Sequence, residues 1–411
     1  MPEYYDSLET RRPEERERAL LAVLPGQIAQ AKRKAPGWAR ILSDVDPAAV
    51  TSRVALAKLP VTRKSDLVVL QKAERPFGGL NAVPVSRLGK IFVSPGPIYD
   101  PEGQSRDWWR TARALFAAGF RSGDLAVNTF AYHFTPAGSM LESGALALGC
   151  VVIPTGVGQT EMQVTTIADL RANAYVGTPS FLKLIVEKAD ELKVDITSLK
   201  KAAVAAEYLP PALRTAMAER GIRVIQSYAS ADLGLIAYES EALEGMILDE
   251  ALILEIVRPG TGEPVPEGEV GEVVITTFNP DYPLIRFGTG DLSAVLPGIS
   301  PCGRTNTRIR GWMGRADQTT KVKGMFVHPS QVAEVAKRHK EIAKARLVVD
   351  NPGGADRMTL HCEVATGSDA LKAAIEASVR EITKLRGEVA FRKRGELPND
   401  GKVIEDAKKY E

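Results

Sequence analysis

Cysteine is scarce in this chain of 411 residues. Cys150, Cys302 and Cys362 are the three present, none in a CxxC pair. An odd, sparse set makes a poor disulfide framework and fits a reducing cytoplasm. Histidine is nearly as rare: His133, His328, His339 and His361 are scattered. No apolar run approaches the ~18 residues of a transmembrane helix. The N-terminus, MPEYYDSLETRRPEERERA, is highly charged and has no apolar core, which argues against a signal peptide. An excess of one charge sign is also missing. With 53 basic and 51 acidic residues the formal charge is +2, so neither nucleic acid nor a membrane surface is expected as the main partner. Internal repeats and low-complexity tracts are absent.

What is there is ordinary for a globular protein: 44% hydrophobic and 25% charged residues, in a chain long enough for two or three domains. Residues 1–75 read as helical and irregular. Leu20, Leu21, Leu24, Ile28 and Ala31 recur at helical spacing, with Pro25-Gly26 expected to kink or break the helix. LPVTRKSDL (59–67) reads as a turn with Ser65 opening a short helix. From residue 90 the texture changes. KIFVS (90–94) reads as a strand running into a loop, SPGPIYDPEG, and an amphipathic helix is expected from Asp107 to Phe120. Strands at 125–130, 150–154, 174–177, 201–207 and 223–229 then alternate with helices at 137–148, 160–172, 179–192 and 210–220. That alternation predicts a mostly parallel sheet covered by helices, with ligands at the carboxyl ends of its strands.

From about Gly234 short strands and turns take over. A last segment reads helix, strand, strand, helix, strand. The expected fold is therefore α/β: a large N-terminal domain of α/β layers with a β-rich subdomain (1–316), hinged to a small α+β C-terminal domain (317–411). The joint, GWMGRADQTTKVKGMFVHPS, is rich in charge, and clefts between domains bind ligands.

GRADQ followed by KVKG and a VHPSQV helix start resembles the hinge of the adenylate-forming (AMP-binding) enzymes, in particular their phenylacetate–CoA ligase branch. Other segments follow in that family's order. YASAD (228–232) is similar to its aromatic–Gly–x–Thr–Glu stretch. The resemblance implies that Tyr228 stacks on adenine, that Ala229, Ser230 and Ala231 border the nucleotide, and that Asp232 binds Mg2+. AAEYL (205–209) resembles the Gly–Ala–Glu–Pro segment lining the adenine pocket, which involves Glu207 and Tyr208; Glu207 could equally cap the next helix. In YPLIRFGTGDL (282–292), Asp291 matches the residue that holds the ribose hydroxyls, as a carboxylate accepting two hydrogen bonds can, and Arg286 would position the loop. Arg315 would reach ribose or phosphate. Asp317 matches the hinge residue. Lys321 is implied in the second, thioester-forming step, with Lys323 and Gly324 at the CoA side. Lys402, in LPNDGKVIEDAKKYE, matches the lysine whose point charge contacts the α-phosphate and the attacking carboxylate.

For the acid, FAYHFTPAGSM (130–140) and IPTGVGQT (153–160) are the candidate pocket. Phe130, Tyr132 and Phe134 could line it with Gly156, or could be core. His133 reads as structural. GVGQT follows a strand but lacks the third glycine of a dinucleotide loop.

The chain departs from the family at the phosphate loop. Ser94, Pro95, Gly96, Pro97 stand where a Ser/Thr/Gly-rich loop ending in Gly–Lys is usual. Two prolines delete two backbone donors and no lysine follows, leaving Ser94 and Gly96 to face the nucleotide. This implies that the β,γ-phosphates are held differently or that adenylation is weakened, and that AMP binds at least as tightly as Mg·ATP. PCGR offers only Cys302 where some relatives carry a zinc cluster, so no structural zinc is expected. The resemblance implies an ATP-dependent acid–CoA ligase taking an aryl or arylacetic acid, with ATP, Mg2+ and CoA. The alternatives are an adenylating acyltransferase serving a carrier protein and a weakened nucleotide- or acyl-adenylate-binding protein. Expected partners are a small carboxylic acid, ATP and CoA, with no nucleic acid or membrane. A homodimer is the oligomer considered, and the cytoplasm the expected location.

Overall fold

The structure, a computed structural model, describes residues 3–94, 97–316, 318, 320–323, 325–352 and 356–408, without the side chains of Lys321 and Phe326. The chain divides into two units. One comprises Met1–Leu254, Ile275–Phe287 and Leu296–Trp312; the other comprises Glu255–Val274, Gly288–Val295 and Met313–Glu411. The second unit thus takes in two stretches upstream of residue 316.

The first unit is built on a nine-stranded sheet. Its order is Val295–Leu296, Arg308–Ile309, Met246–Leu248, Gly234–Tyr238, Arg223–Ser230, Lys201–Val204, Ala174–Gly177, Leu125–Asn128, Val151–Pro154. The last five are parallel, as the βα alternation requires. Strand Leu125–Asn128 has Val151–Pro154 on one side and Ala174–Gly177 on the other. The chain therefore reverses its direction of travel across the sheet there, the point at which open α/β sheets leave a crevice for ligands.

Periodicity explains the covering helices. In Pro179–Leu192, Leu182, Ile185, Val186 and Ala189 fall on one face and pack on Val127, Tyr175, Ala202 and Val204 of the strands. Each large aliphatic side chain so buried contributes about 1.5–3 kcal/mol. The Thr178 side chain accepts from Phe181 N–H at the start of this helix, and Lys193 in the left-handed region ends it.

Three local expectations change. The first long helix, Pro13–Lys34, runs on through Pro25. Proline deletes one rung, but Leu20, Leu24, Ile28 and Ala31 are buried on both sides of it and hold the two halves in line. The Pro/Gly-rich stretch after residue 94 is more regular than a loop: Lys90–Ser94 and Ile98–Glu102 pair as an antiparallel hairpin with Phe92 opposite Asp100. The helix expected from Asp107 spans only Ala112–Ala117, after a turn in which Asp107 and Arg110 have φ of 50° and 64°.

A four-stranded sheet of order Thr62–Arg63, Phe287–Ser293, Gly271–Thr277, Leu252–Val257 supplies the expected β-rich part. In the second unit another four-stranded sheet has the order Glu388–Arg392, Arg357–Val364, Ile342–Asp350, Ile404–Asp406. Helices Pro329–Arg338 and Asp369–Thr383 pack on it through Val332, Val335, Ile375 and Val379 against Leu347, Val349, Met358 and Leu360. Among the described residues no helix is long and apolar enough to cross a membrane.

Candidate active site

In the first unit the carboxyl edge of the parallel strands gathers most of the expected residues. Asn128 ends its strand and organises the aromatic loop after it. Its amide nitrogen donates to the Tyr132 hydroxyl (2.9 Å) and to Gly138 O (2.8 Å), and its oxygen accepts from Phe130 N–H (3.1 Å). Burial, and then the Glu142 carboxylate at its hydroxyl, push the Tyr132 phenol above its usual range, so Tyr132 stays a neutral, fixed ring. Phe130 is 7% exposed and belongs to the core, whereas Phe134 is 75% exposed with a φ of 59°. Gly156 is buried at the end of the neighbouring strand; its N–H donates to Asn128 O (3.1 Å), and the Gln163 amide donates to its carbonyl (2.8 Å). At the crevice, Gly177 admits no side chain, because a Cβ there would lie 2.1 Å from the Thr129 hydroxyl. Asn128 was not singled out from the sequence, and its only signal is its place after an apolar strand.

Beyond strand Lys201–Val204 the chain turns sharply at Ala206, whose φ is 68°. Glu207 accepts from Ser180 N–H (3.2 Å), so it caps helix Pro179–Leu192 rather than the helix that follows it. Tyr208 is 62% exposed. Both line an open cavity of about 460 Å3 with Ser180, Lys183 and Leu213. Strand Arg223–Ser230 carries a bulge between Tyr228 and Ala229. Tyr228 is 8% exposed, Ala229, Ser230 and Ala231 are half-buried, and the Ser230 hydroxyl accepts from Leu233 N–H (3.2 Å).

Asp232 is held otherwise than expected. Its side chain is fully enclosed, with one oxygen 2.6 Å from the Lys64 ammonium, whose side chain is 27% exposed. The other oxygen, the Ser94 hydroxyl and both oxygens of Asp100 are buried and have no hydrogen-bond partner beyond one another. Ser94 and Asp100 share the inward face of the hairpin. Burial, then the charge of Asp232, push the Asp100 carboxyl up to about 7, against the pull of Ser94 and Lys64. The buried Tyr282 phenol is pushed up by burial and then by the same two carboxylates. A Mg2+ ion keeps several of its waters and needs room for them. The enclosed, lysine-bound Asp232 does not fit such an ion in this arrangement. Among the described residues no group of three His, Cys, Asp or Glu is placed to hold a metal ion. Pro95 and Gly96 lie outside the described residues.

Arg286 is 2% exposed with a φ of 47°, and its guanidinium donates to Ala57 O (2.8 Å) and Leu59 O (2.5 Å). It ties its loop to the segment just before Lys64.

In the second unit Asp291 and Arg315 come together, 2.7 Å apart, with side chains 14% and 54% exposed. Their backbones form an isolated antiparallel bridge. Gly290 lets the guanidinium lie close: a Cβ there would meet Arg315 Nη2 at 2.8 Å. Lys402 is exposed, and its N–H donates to Asp400 Oδ1 (3.1 Å). With Arg258 and Lys344 it lines a small, otherwise largely apolar cavity of about 50 Å3. Lys323 is exposed with a φ of 49°, its N–H donating to Asp356 (2.6 Å). Lys321 lies on strand Thr320–Val322 with its side chain outside the described set; Asp317 and Gly324 lie outside it altogether.

The chain is similar in sequence and in fold to known proteins. Residues 106–279 match the family model described as AMP-binding enzyme. The phenylacetate–coenzyme A ligase of Thermus thermophilus is 32% identical over 380 residues, covering 88% of this chain and 84% of that protein. The enzyme of the same name from Aromatoleum evansii is 32% identical over 336 residues, covering 78% and 74%. Among solved structures, an open conformation of 2-hydroxyisobutyryl-CoA ligase with 2-HIB-AMP and CoA superposes with a TM-score of 0.71 at 24% identity, covering 95% of this chain and 91% of that one. This likeness is one of fold.

Proposed function

The chain belongs to the AMP-binding superfamily and, within it, to the phenylacetate–CoA ligase family, and from that premise we propose that it is an AMP-forming acid–CoA ligase acting on an aryl or arylacetic acid. The observation that carries the reading is the Asp291–Arg315 pair. A half-buried carboxylate beside a solvent-exposed guanidinium suits a sugar's paired hydroxyls and the phosphate next to them.

In the proposed reaction the acid's carboxylate attacks the α-phosphorus of ATP. An O–P bond forms, the α,β-bridging bond breaks, and its electron pair leaves with pyrophosphate. Tyr228 and the Glu207–Tyr208 turn receive adenine, Asp291 holds the ribose, and Lys402 offsets charge where the two anions meet. The loop ordered by Asn128, with Tyr132 and Phe134, receives the aromatic acid beside Gly156. The domain of residues 317–411 then turns about Asp317, bringing Lys321, Lys323 and Gly324 to the CoA thiol, which attacks the acyl carbon and expels AMP. Weakened adenylation finds no support among relatives named as ligases.

ATP–pyrophosphate exchange across a panel of aryl, arylacetic and aliphatic acids tests the first step. Exchange that depends on an aromatic acid is expected; none with any acid would overturn the ligase reading. Lys402→Ala should stop exchange yet still convert a supplied acyl-adenylate to the thioester. Equal loss of both half-reactions would count against domain alternation.

A further inference from the structure

Four buried oxygens with no hydrogen-bond partner outside their own group cluster beside one lysine. They are both oxygens of Asp100, one of Asp232 and the hydroxyl of Ser94. Lys64 opens helix Lys64–Ala73, and its ammonium lies 2.6 Å from Asp232. A cation is badly placed at a helix N-terminus, where the dipole is positive, so local structure alone does not favour it. The helix is clamped to the hairpin that carries the proline loop. The Gln71 amide donates to Tyr99 O (2.9 Å) and accepts from Tyr99 N–H (2.8 Å). An ammonium has three donors and one is spent on Asp232. Asp232 is enclosed while Lys64 remains 27% exposed, so the lysine stands between the buried carboxylate and solvent. The loop itself, SPGPIYDPEG, contains no lysine or arginine.

We infer that Lys64, held by Asp232 beside Asp100, is the protein's own cation for the ATP phosphates, standing at the acid where the motif would otherwise hold a metal ion. This rests on the ATP-dependent reading above. Its role is electrostatic. As the α,β-bridging bond breaks, pyrophosphate takes the electron pair, and Lys64 offsets charge that the loop's two prolines and missing lysine leave uncovered. No proton is transferred, and the site needs no protein-bound metal. The position can be read only from the fold, because Lys64 and Asp232 are 168 residues apart.

The test is calorimetric titration of Mg·ATP and of AMP into wild type, Lys64→Gln and the charge-balanced Lys64→Gln/Asp232→Asn variant. The double variant removes both charges of the Lys64–Asp232 pair together and guards against misfolding. ATP affinity should fall roughly 10- to 100-fold in both variants, with AMP affinity changed less than about threefold. Unchanged ATP affinity in the double variant, or an equal fall for ATP and AMP, overturns the role of Lys64 while leaving the ligase reading standing. A wild type that binds neither nucleotide overturns both. Mn2+ alone, titrated into nucleotide-free wild type, should not bind at Asp232; uptake that Asp232→Asn abolishes would show a protein-held metal and overturn the inference.

Discussion

Two ion pairs of nearly equal length behave as opposites. Asp291–Arg315 spans 2.7 Å with the arginine 54% exposed, and Lys64–Asp232 spans 2.6 Å with the aspartate wholly enclosed. Water reaches the arginine of the first, so its guanidinium can turn to a ligand at little cost. Around the second the dielectric is lower and Asp100 adds a further buried carboxylate, so removing the lysine strands a buried charge. Length alone says nothing about role: the open pair is suited to exchange partners with a ligand, and the closed pair to hold a charge in place.

The largest expected effect comes from breaking the closed pair. Lys64→Met should lower stability by about 2–3 kcal/mol, less than for a fully enclosed pair because the lysine is partly exposed. Chemical denaturation checks this, and a loss below 1 kcal/mol would make the two pairs alike. Next is Asp291→Ala, which should weaken AMP binding by roughly 1.5–3 kcal/mol while leaving the fold intact. Calorimetry giving wild-type AMP affinity in the folded variant would remove the ribose assignment.

A third contrast lies in pH. Because the Asp100 carboxyl is pushed up to about 7 from its ordinary 3.8, the folded protein holds a proton there that the unfolded chain has released. Its contribution to stability is thus fully present below about pH 4, falls as pH rises through about 7, and levels off above. Asp100→Asn should flatten that part of the stability–pH curve. An unchanged slope would mean the carboxyl is already ionised across that range. The smallest effect is expected from Arg315→Ala, within about 1 kcal/mol of wild-type stability, since the arginine itself is largely exposed.

The same contrast explains what could be read from the chain. Elements with a clear period were legible almost to the residue, as with strand Ala174–Gly177 and helix Pro179–Leu192. Proline misled twice, in helix Pro13–Lys34 and in hairpin strand Ile98–Glu102, because packing elsewhere along each element outweighs one missing donor. Asp291 and Arg315 stand 24 residues apart inside motifs, and a linear reading named both. Lys64 read as part of a turn, one residue before the short helix expected from Ser65, and Asp100 as loop. What joins them to Asp232 is the docking of a helix against a hairpin, and no local pattern encodes that.

The measurement that tests the central claim most directly is product analysis of wild type with ATP, CoA and an arylacetic acid. The account predicts one AMP and one pyrophosphate for each acyl-CoA thioester formed, with no nucleotide cleaved when the acid is left out. Release of ADP and phosphate, or AMP formation indifferent to the acid, would contradict it.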